Sequence, residues 1–256
     1  MKNVTTKQKI AVLGAVMYTT IIGVGMYLMQ LSGATYGQPK MVNTLWVVEI
    51  TLTAITVFFT VKYFSWKEVG FSKLQTKQLL WMVPSIILLV VMWAVVISLS
   101  AKNGLSNEQV SLIYLVGFTT LLVGFSEELM YRGILLNSFL KTRSKTSAIL
   151  ISAVGFSLLH SVNILGGLGV GQMLVQLIFT FMFGLLFALL YLRIKNLIPL
   201  IIFHWLWDFA LFAGTVASPE DETLGSLSSV HLIIQVVLIL VLFIYLKKGK
   251  GSHISE

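Results

Sequence analysis

Long apolar runs separated by short polar segments dominate the chain. An α-helix needs about 20 mostly apolar residues to cross the hydrocarbon core of a bilayer, and inside lipid a helix satisfies its own backbone hydrogen bonds. The predicted spans are residues 10–31, 41–61, 79–100, 110–131, 147–165, 170–192, 197–214 and 229–246. The pattern therefore predicts an all-α fold, a polytopic transmembrane helical bundle of about eight spans.

The composition excludes a soluble domain. Hydrophobic residues make up 57% of the chain and charged residues 11%, whereas soluble domains carry about 25% charged residues. The chain has no cysteine, which excludes a disulfide framework, a cysteine nucleophile and a cysteine-ligated zinc site. The first apolar run is longer than the core of a signal peptide and no small-residue cleavage pattern follows it, so it is predicted to be a retained helix.

The basic residues alternate between the two sides of the predicted bundle. One side holds only Lys40 and Lys102, together with the acidic run 220–222. The other side holds Lys2, Lys7, Lys9, Lys62, Lys67, Lys73, Lys77, Lys141, Arg143, Lys145, Arg193, Lys195, Lys247, Lys248 and Lys250. The positive-inside rule then predicts that both termini are cytoplasmic. The net charge of +8 is thereby explained by orientation and contact with anionic lipid, and no nucleic-acid partner is predicted.

Several ionisable residues fall inside the predicted spans, where each charge costs about 2.5–3.5 kcal/mol or more. They are Glu127, Glu128 and Arg132 in the fourth span, His160 in the fifth, and His204 and Asp208 in the seventh. Glu49 and His231 are predicted to lie near the external water interface. The six residues of the first group are therefore the candidate functional residues.

Helical spacing pairs some of these residues and separates others. Glu128 and Arg132 are four residues apart and share a helix face, so they can form an ion pair. Glu127 is offset by about 100° and lacks that partner, which suits a general base facing a cavity. The alternative interpretation is a purely structural ion cluster.

The other two spans show the same four-residue spacing. Phe156 shares a face with His160, and His204 shares one with Asp208. Asp208 can fix the tautomer of His204, or both can face a shared ligand. A structural His–Asp pair and an interhelical hydrogen bond from His160 are the alternatives. Because helical bundles build sites from facing helices, we expect the three spans to surround one polar cavity.

At these residues the sequence resembles the CPBP family, the CAAX-processing and bacteriocin-processing (Abi) intramembrane proteases. The family's motifs are Glu-Glu-x-x-x-Arg, Phe-x-x-x-His and His-x-x-x-Asn or Asp. The matching residues are Glu127, Glu128 and Arg132 in the first motif, Phe156 and His160 in the second, and His204 and Asp208 in the third. The resemblance covers roughly residues 121–214.

The resemblance implies peptide-bond hydrolysis near the cytoplasmic leaflet. It implies Glu127 as the base, His160 as a holder of the attacking water, and His204 with Asp208 as oxyanion stabilisers or metal ligands. Glu128 is counted with the catalytic residues, and Arg132 and Phe156 are expected to be structural. Zinc or another divalent metal is a possible cofactor, with Glu127, His160, His204 and Asp208 as possible ligands. No His-Glu-x-x-His segment is present, so a metalloprotease and a glutamate-type protease both remain open.

The resulting prediction is an intramembrane endopeptidase of the cell membrane, with its active site towards the cytoplasmic side. Residues 1–109 are expected to form about three N-terminal spans, and residues 110–250 the catalytic core. The expected substrates are membrane-associated peptides or proteins, such as leader peptides, pheromones or bacteriocin precursors. The oligomeric state stays open.

Two other functions compete with hydrolysis. A non-catalytic membrane regulator or bacteriocin-immunity protein would keep the fold and bind a membrane partner. A transporter or proton relay would use the same polar residues, but it predicts structural repeats that the sequence does not show.

The predicted depths of two candidate residues in the membrane argue against their meeting in one site. Glu127 would lie about 5–10 Å from the cytoplasmic end of its span, and His160 about 20 Å from the end of its own. We therefore expect the fifth helix to begin near Ile151 or to tilt, or the fourth helix to end later.

Overall fold

The computed structural model describes residues 4–248, with side chains described up to residue 246. Within this range, eight helices are long and apolar enough to cross a membrane, which confirms the predicted number of spans. Lys2 and Lys250, which contribute to the predicted orientation, and the last residues of the predicted core, 249–250, lie outside the described residues.

The described helices form nine α-helical segments joined by short 3₁₀ and π segments. The α-helices are α1 (Thr6–Leu31), α2 (Val42–Tyr63), α3 (Val83–Asn103), α4 (Asn107–Glu128), α5 (Asn137–Leu140), α6 (Lys145–Leu159), α7 (Val170–Ile194), α8 (Ile198–Ala217) and α9 (Thr223–Lys248). Pro39–Met41, Thr76–Met82 and His160–Gly166 are 3₁₀-helical, and Leu129–Leu136 is a π-helix.

Local sequence signals explain where several helices begin. Thr5 caps α1 and Ser106 caps α4, and in each case a glutamine three residues later bonds back to the cap residue. These capping boxes satisfy backbone N–H groups that the first helical turn leaves without partners. The helices α3 and α8 each begin with a proline in the first turn, where its missing N–H costs nothing.

The fourth span is longer than predicted. It continues from α4 through the π-helix and α5, so that the whole span is Asn107–Leu140 rather than residues 110–131. The prediction ended there because Arg132 resembled the polar end of a span. Arg132 is instead fully buried and paired with Glu128, so the helix continues past it.

This longer span removes the difference in depth between two site residues. At 1.5 Å per residue, Glu127 lies about 20 Å from Leu140, at the end of its span. His160 follows α6 directly and lies about 22 Å from Lys145, at the start of that helix. Of the three expected solutions, a later end of the fourth helix is the one observed.

The helix α8 lies at the centre of the part of the bundle that carries the site. It packs against α4 and α3, while α4 also contacts α2, and α7 packs against α6 and α9. Gly124 lets α4 and α8 approach closely, because a Cβ atom at this position would lie 2.9 Å from the backbone nitrogen of Trp205. Small residues commonly allow such close contact between membrane helices.

One polar cluster joins three segments at one end of the bundle. Glu68, in the segment between α2 and α3, accepts hydrogen bonds from Lys7 of α1 and from Lys141, which follows α5. Both Glu68 oxygens lie 2.8 Å from the Lys7 ammonium nitrogen. This Lys7–Glu68–Lys141 cluster holds the α2–α3 segment against the ends of two helices.

Candidate active site

A buried network of three ionisable side chains joins α4 to α8. The Nη1 atom of Arg132 donates to Oε1 of Glu128 at 2.9 Å, so the ion pair predicted from the four-residue spacing is present. The same oxygen lies 2.9 Å from Nδ1 of His204. The side chains of Glu128 and Arg132 are both 0% exposed. Glu128 therefore connects the end of α4 to the imidazole of α8.

Aromatic rings cover the rest of the Arg132 guanidinium. Its Cζ atom lies 4.0 Å from the ring centroid of Phe156, 5.4 Å from that of Phe187 and 5.9 Å from that of Phe183. A guanidinium over an aromatic face is stabilised by a cation–π interaction, which grows when water is excluded. The rings face a guanidinium whose Nε and Nη2 atoms have no hydrogen-bond partner. Phe156 thus contacts the guanidinium, and its structural role stays a prediction.

The π-helix begins directly after Glu128. Such segments often mark functional sites, and this one was not predicted from the sequence. The Nδ2 atom of Asn137 donates to the carbonyl oxygens of Arg132 and Gly133 at 3.2 and 2.9 Å. It also lies 2.7 Å from the hydroxyl of Tyr191 on α7. Asn137 therefore satisfies backbone groups of the π-helix and attaches them to a neighbouring helix.

His160 is held by its own helix. Its Nδ1 atom lies 2.9 Å from the carbonyl oxygen of Phe156. A carbonyl oxygen only accepts hydrogen bonds, so Nδ1 carries a proton. In the neutral ring the lone pair is then on Nε2. His160 thus presents a hydrogen-bond acceptor to any ligand beside it.

The second nitrogen of His204 faces two carboxylates. Its Nε2 atom lies 3.4 Å from Oδ2 of Asp208 and 3.9 Å from Oε2 of Glu127. Two roles were considered for Asp208, and the first was to fix the tautomer of His204. Glu128 takes that role instead, because it contacts Nδ1 of His204. The arrangement fits the other role, in which His204 and Asp208 face a shared ligand.

Two neighbouring cavities contain these residues. The first, which we call the carboxylate chamber, has a volume of about 90 Å³ and is lined by Glu49, Glu127, His160 and Asp208, among others. The second, the aromatic chamber, has a volume of about 240 Å³ and is lined in part by His160, His204 and Asp208. His160 and Asp208 contribute to both chambers. The structure therefore brings Glu127, His160, His204 and Asp208 together from three spans.

Glu127 and Glu128 differ in their surroundings. Glu127 lines the carboxylate chamber, and its Oε2 atom is buried without a hydrogen-bond partner. Glu128 lines neither of the two chambers and uses Oε1 for Arg132 and His204. Of the pair, only Glu127 is placed to touch a ligand.

The interfacial positions predicted for Glu49 and His231 are wrong. Glu49 is 3% exposed and lines the carboxylate chamber, and His231 is 1% exposed and lines the aromatic chamber. Both residues were predicted to lie at the water interface because they fall near the starts of apolar runs. The rule that a polar residue within a span faces the bundle interior was the signal that would have found them.

The sequence leaves a divalent metal open as a cofactor, with these side chains as possible ligands. Among residues 4–248, no group of three or more histidine, aspartate or glutamate side chains is arranged to hold a metal ion. Nδ1 of His160 contacts a backbone carbonyl and Nδ1 of His204 contacts Glu128, and histidines that bind a metal commonly make such a contact with their second ring nitrogen. Zinc therefore stays a prediction from the sequence.

Comparison with known proteins agrees with the motifs. Residues 109–210 match the family model described as type II CAAX prenyl endopeptidase Rce1-like, which is the CPBP/Abi family. The matched segment runs from α4 into α8 and includes every candidate residue from Glu127 to Asp208. No curated protein and no solved structure showed significant similarity to the chain. The predicted resemblance is thereby confirmed.

Proposed function

We propose that the chain is an intramembrane endopeptidase, because residues 109–210 match the model of a family of CAAX-type membrane proteases. The observation that carries this proposal is the position of Glu127. Its Oε2 atom is buried and unpartnered, 3.9 Å from Nε2 of His204, in a chamber shared with His160 and Asp208. A carboxylate in that position is suited to activating a water molecule.

The attacking water is proposed to occupy the carboxylate chamber. Its volume of about 90 Å³ has room for about three water molecules. Glu127 accepts a proton from one of them, and Nε2 of His160 accepts a hydrogen bond from the same water. The water oxygen then attacks the substrate carbonyl carbon. General base catalysis of this kind contributes about 10²–10⁴-fold to a rate.

His204 is proposed to stabilise the negative charge that develops on the carbonyl oxygen. We propose that both ring nitrogens of His204 carry a proton, because Nδ1 donates to Glu128 and Nε2 faces the carboxylates of Asp208 and Glu127. The ring is thus fixed before the substrate binds, and Nε2 donates to the oxyanion. A fixed donor in a water-poor site is worth far more than one in water. Collapse of the tetrahedral intermediate breaks the C–N bond, and the proton held by Glu127 passes to the leaving amine.

Glu128, Arg132 and Phe156 are proposed to act through His204 rather than on the substrate. Glu128 orients the imidazole, Arg132 pairs with Glu128, and Phe156 covers the guanidinium. These three are positioning residues. The sequence analysis counted Glu128 among the catalytic residues, whereas in this proposal Glu128 acts only by orienting His204.

The proposed substrates are membrane-associated peptides or proteins. The site lies within helices that are long and apolar enough to span a membrane, which favours leader peptides, peptide pheromones, bacteriocin precursors or membrane proteins. The proposed location is the cell membrane, with the site towards the cytoplasmic side.

The test is the variant Glu127→Gln, which keeps the size of the side chain and removes the base. We expect the purified protein in proteoliposomes to lose about 10²–10⁴-fold in peptide cleavage, with an unchanged melting temperature or a higher one. The matched control is Glu108→Gln, the same substitution at an exposed site, which is expected to retain full activity. Comparative peptidomics of cells carrying either variant identifies the natural products.

Two further outcomes separate the alternatives. Full cleavage by Glu127→Gln contradicts the proposal. A cellular phenotype that survives Glu127→Gln, with no change in processed peptides, supports the non-catalytic regulator or immunity protein instead. Adding a zinc chelator to the same assay tests the zinc prediction separately.

A further inference from the structure

The aromatic chamber extends from the candidate active site towards α9. One end is formed by His160, His204 and Asp208, and the opposite end by His231 and Gln235 of α9. Rings supply much of the wall between the two ends. The phenylalanine, tyrosine and tryptophan residues of the wall are Tyr36, Phe156, Phe179, Phe183, Trp207 and Phe212. A cavity of about 240 Å³ with such walls suits one large side chain with an apolar body.

Hydrogen bonds fix the far end of this chamber. Nε2 of Gln235 donates to Nδ1 of His231 at 3.0 Å, so the proton of the neutral His231 ring is on Nε2, which donates to Oγ of Ser85 at 3.1 Å. The His231 ring also lies 4.2 Å from the ring of Trp207. Gln235 is therefore held in one orientation by a chain of contacts that begins on α3.

This arrangement leaves one acceptor without a partner. Gln235 is 4% exposed, and its Oε1 atom is buried with no hydrogen bond. An unpaired buried acceptor is costly, and native structures rarely keep one without a reason. Because Gln235 lines the aromatic chamber, a hydrogen-bond donor inside the chamber would satisfy it.

The dimensions of the chamber match one aromatic side chain. The centroid of the Phe183 ring lies 5.2 Å from that of His204 and 6.4 Å from that of His231. The Phe183 ring therefore lies close both to the candidate active site and to the polar end. A substrate side chain bound beside Phe183 would start near the reacting carbonyl and end near Gln235.

We propose that the aromatic chamber is a specificity pocket for a tyrosine side chain next to the scissile bond. The ring packs among the aromatic wall residues, and the phenolic hydroxyl donates its proton to Oε1 of Gln235. This inference rests on the proposed peptidase function and adds a substrate class to it. A purely structural role for Ser85, His231 and Gln235, holding α9 against α3, is the alternative.

The experiment compares matched peptides that differ only by one hydroxyl group. A library with tyrosine or phenylalanine at each position around the cleaved bond is offered to the full chain in proteoliposomes. We expect one position at which tyrosine raises kcat/KM by about 2- to 10-fold over phenylalanine, the value of one neutral hydrogen bond. Gln235→Met is expected to abolish this preference by slowing cleavage of the tyrosine peptide.

Two control variants separate specificity from stability. Gln75→Met, at an exposed position, should keep the preference for tyrosine. Ser85→Ala breaks the contact between α3 and α9, so it should lower the melting temperature. Gln235 keeps its contact with His231 in this variant, so the preference for tyrosine should weaken but persist. If Gln235→Met lowers only the melting temperature and leaves the tyrosine-to-phenylalanine ratio unchanged, the role is structural and the proposal is overturned.

The failures of the two proposals are distinguishable. Cleavage that Glu127→Gln abolishes but that occurs equally with tyrosine and phenylalanine at every position overturns the specificity pocket and leaves the peptidase intact. The absence of cleavage of any library member by the unmodified chain overturns both.

Discussion

Oε1 of Glu128 lies 2.9 Å from Nδ1 of His204 and 2.9 Å from Nη1 of Arg132. One carboxylate oxygen thus receives contacts from its own span and from α8. The ion pair within the fourth span holds the carboxylate, and the carboxylate in turn holds the imidazole. The geometry of His204 therefore depends on a residue that lines neither of the two chambers.

Removal of either member of the buried ion pair is expected to destabilise the protein more than removal of both. Glu128→Gln leaves Arg132 without its charged partner, and breaking a buried pair costs about 3–5 kcal/mol. Arg132→Met leaves Glu128 with only His204. The double variant Glu128→Gln/Arg132→Met leaves no uncompensated charge, so its melting temperature in detergent should exceed that of Glu128→Gln.

A double-mutant cycle measures this coupling directly. Losses in the two single variants that simply add in the double variant would contradict the coupling inferred from the 2.9 Å contact. Folding must be assessed together with activity, because Glu128→Gln also removes the negative charge that faces Nδ1 of His204.

Gly124→Ala is expected to separate α4 from α8. The added Cβ would lie 2.9 Å from the backbone nitrogen of Trp205 and 3.2 Å from the carbonyl oxygen of Ile201. Backbone atoms cannot yield as a flexible side chain does, so the helices must shift, at a cost of about 1–3 kcal/mol. The shift also lengthens the contact between Glu128 and His204. We expect a lower melting temperature and a peptide-cleavage loss of up to about 10²-fold.

The matched control is Gly171→Ala in α7, where an added Cβ meets nothing within 4 Å. It should leave stability and activity close to those of the unmodified chain. Equal melting temperatures and equal peptide cleavage in the two alanine variants would mean that the close approach of α4 and α8 does not position the site.

The number of spans was predictable because the bilayer imposes a minimum length on each apolar run. The end of the fourth span was not, because a single sequence shows the charge of Arg132 but not the partners that neutralise it. Glu128 and the ring of Phe156 cover that charge in the structure. The start of α9 was predicted at residue 229, whereas the helix begins at Thr223, since its first turns are polar and resembled a loop.

The candidate site was predictable where both partners share one helix. Four-residue spacing predicted the contact between Glu128 and Arg132 and the proximity of His204 to Asp208. The contact between Glu128 and His204 joins different helices and depends on how α4 packs against α8. The burial of Glu49 and His231 also depends on which face of α2 and α9 meets the bundle, and a nearly uniform apolar run does not indicate that face.

The Lys7–Glu68–Lys141 cluster makes stability depend on pH. Partial burial raises the pKa of Glu68. The hydrogen bonds and charges of Lys141 and Lys7 lower this pKa by a larger amount, so that it lies below the ordinary value of 4.5. A carboxylate with a lowered pKa stabilises the fold above its unfolded pKa, and this contribution disappears as the pH falls through the folded pKa. We expect Glu68→Gln to lower the melting temperature near neutral pH.

The difference between Glu68→Gln and the unmodified chain should shrink to nothing on acidification from about pH 7 to about pH 3. Glu108→Gln is the control, since Glu108 is exposed and its contact with Lys40 is 3.9 Å long. A Glu68→Gln difference that stays constant across this range would show that the ionised carboxylate does not stabilise the cluster.

The orientation predicted from the basic residues can be measured with single cysteines, because the chain has none of its own. Lys73 lies in the basic segment between α2 and α3, and Glu220 in the acidic segment between α8 and α9; both are exposed. The positive-inside rule predicts that Lys73 faces the cytoplasm. A membrane-impermeant maleimide should therefore label Glu220→Cys in intact cells and Lys73→Cys only after permeabilisation. The reverse pattern would place both ends of the chain and the Lys7–Glu68–Lys141 cluster outside, against the charge rule from which the cytoplasmic site was proposed.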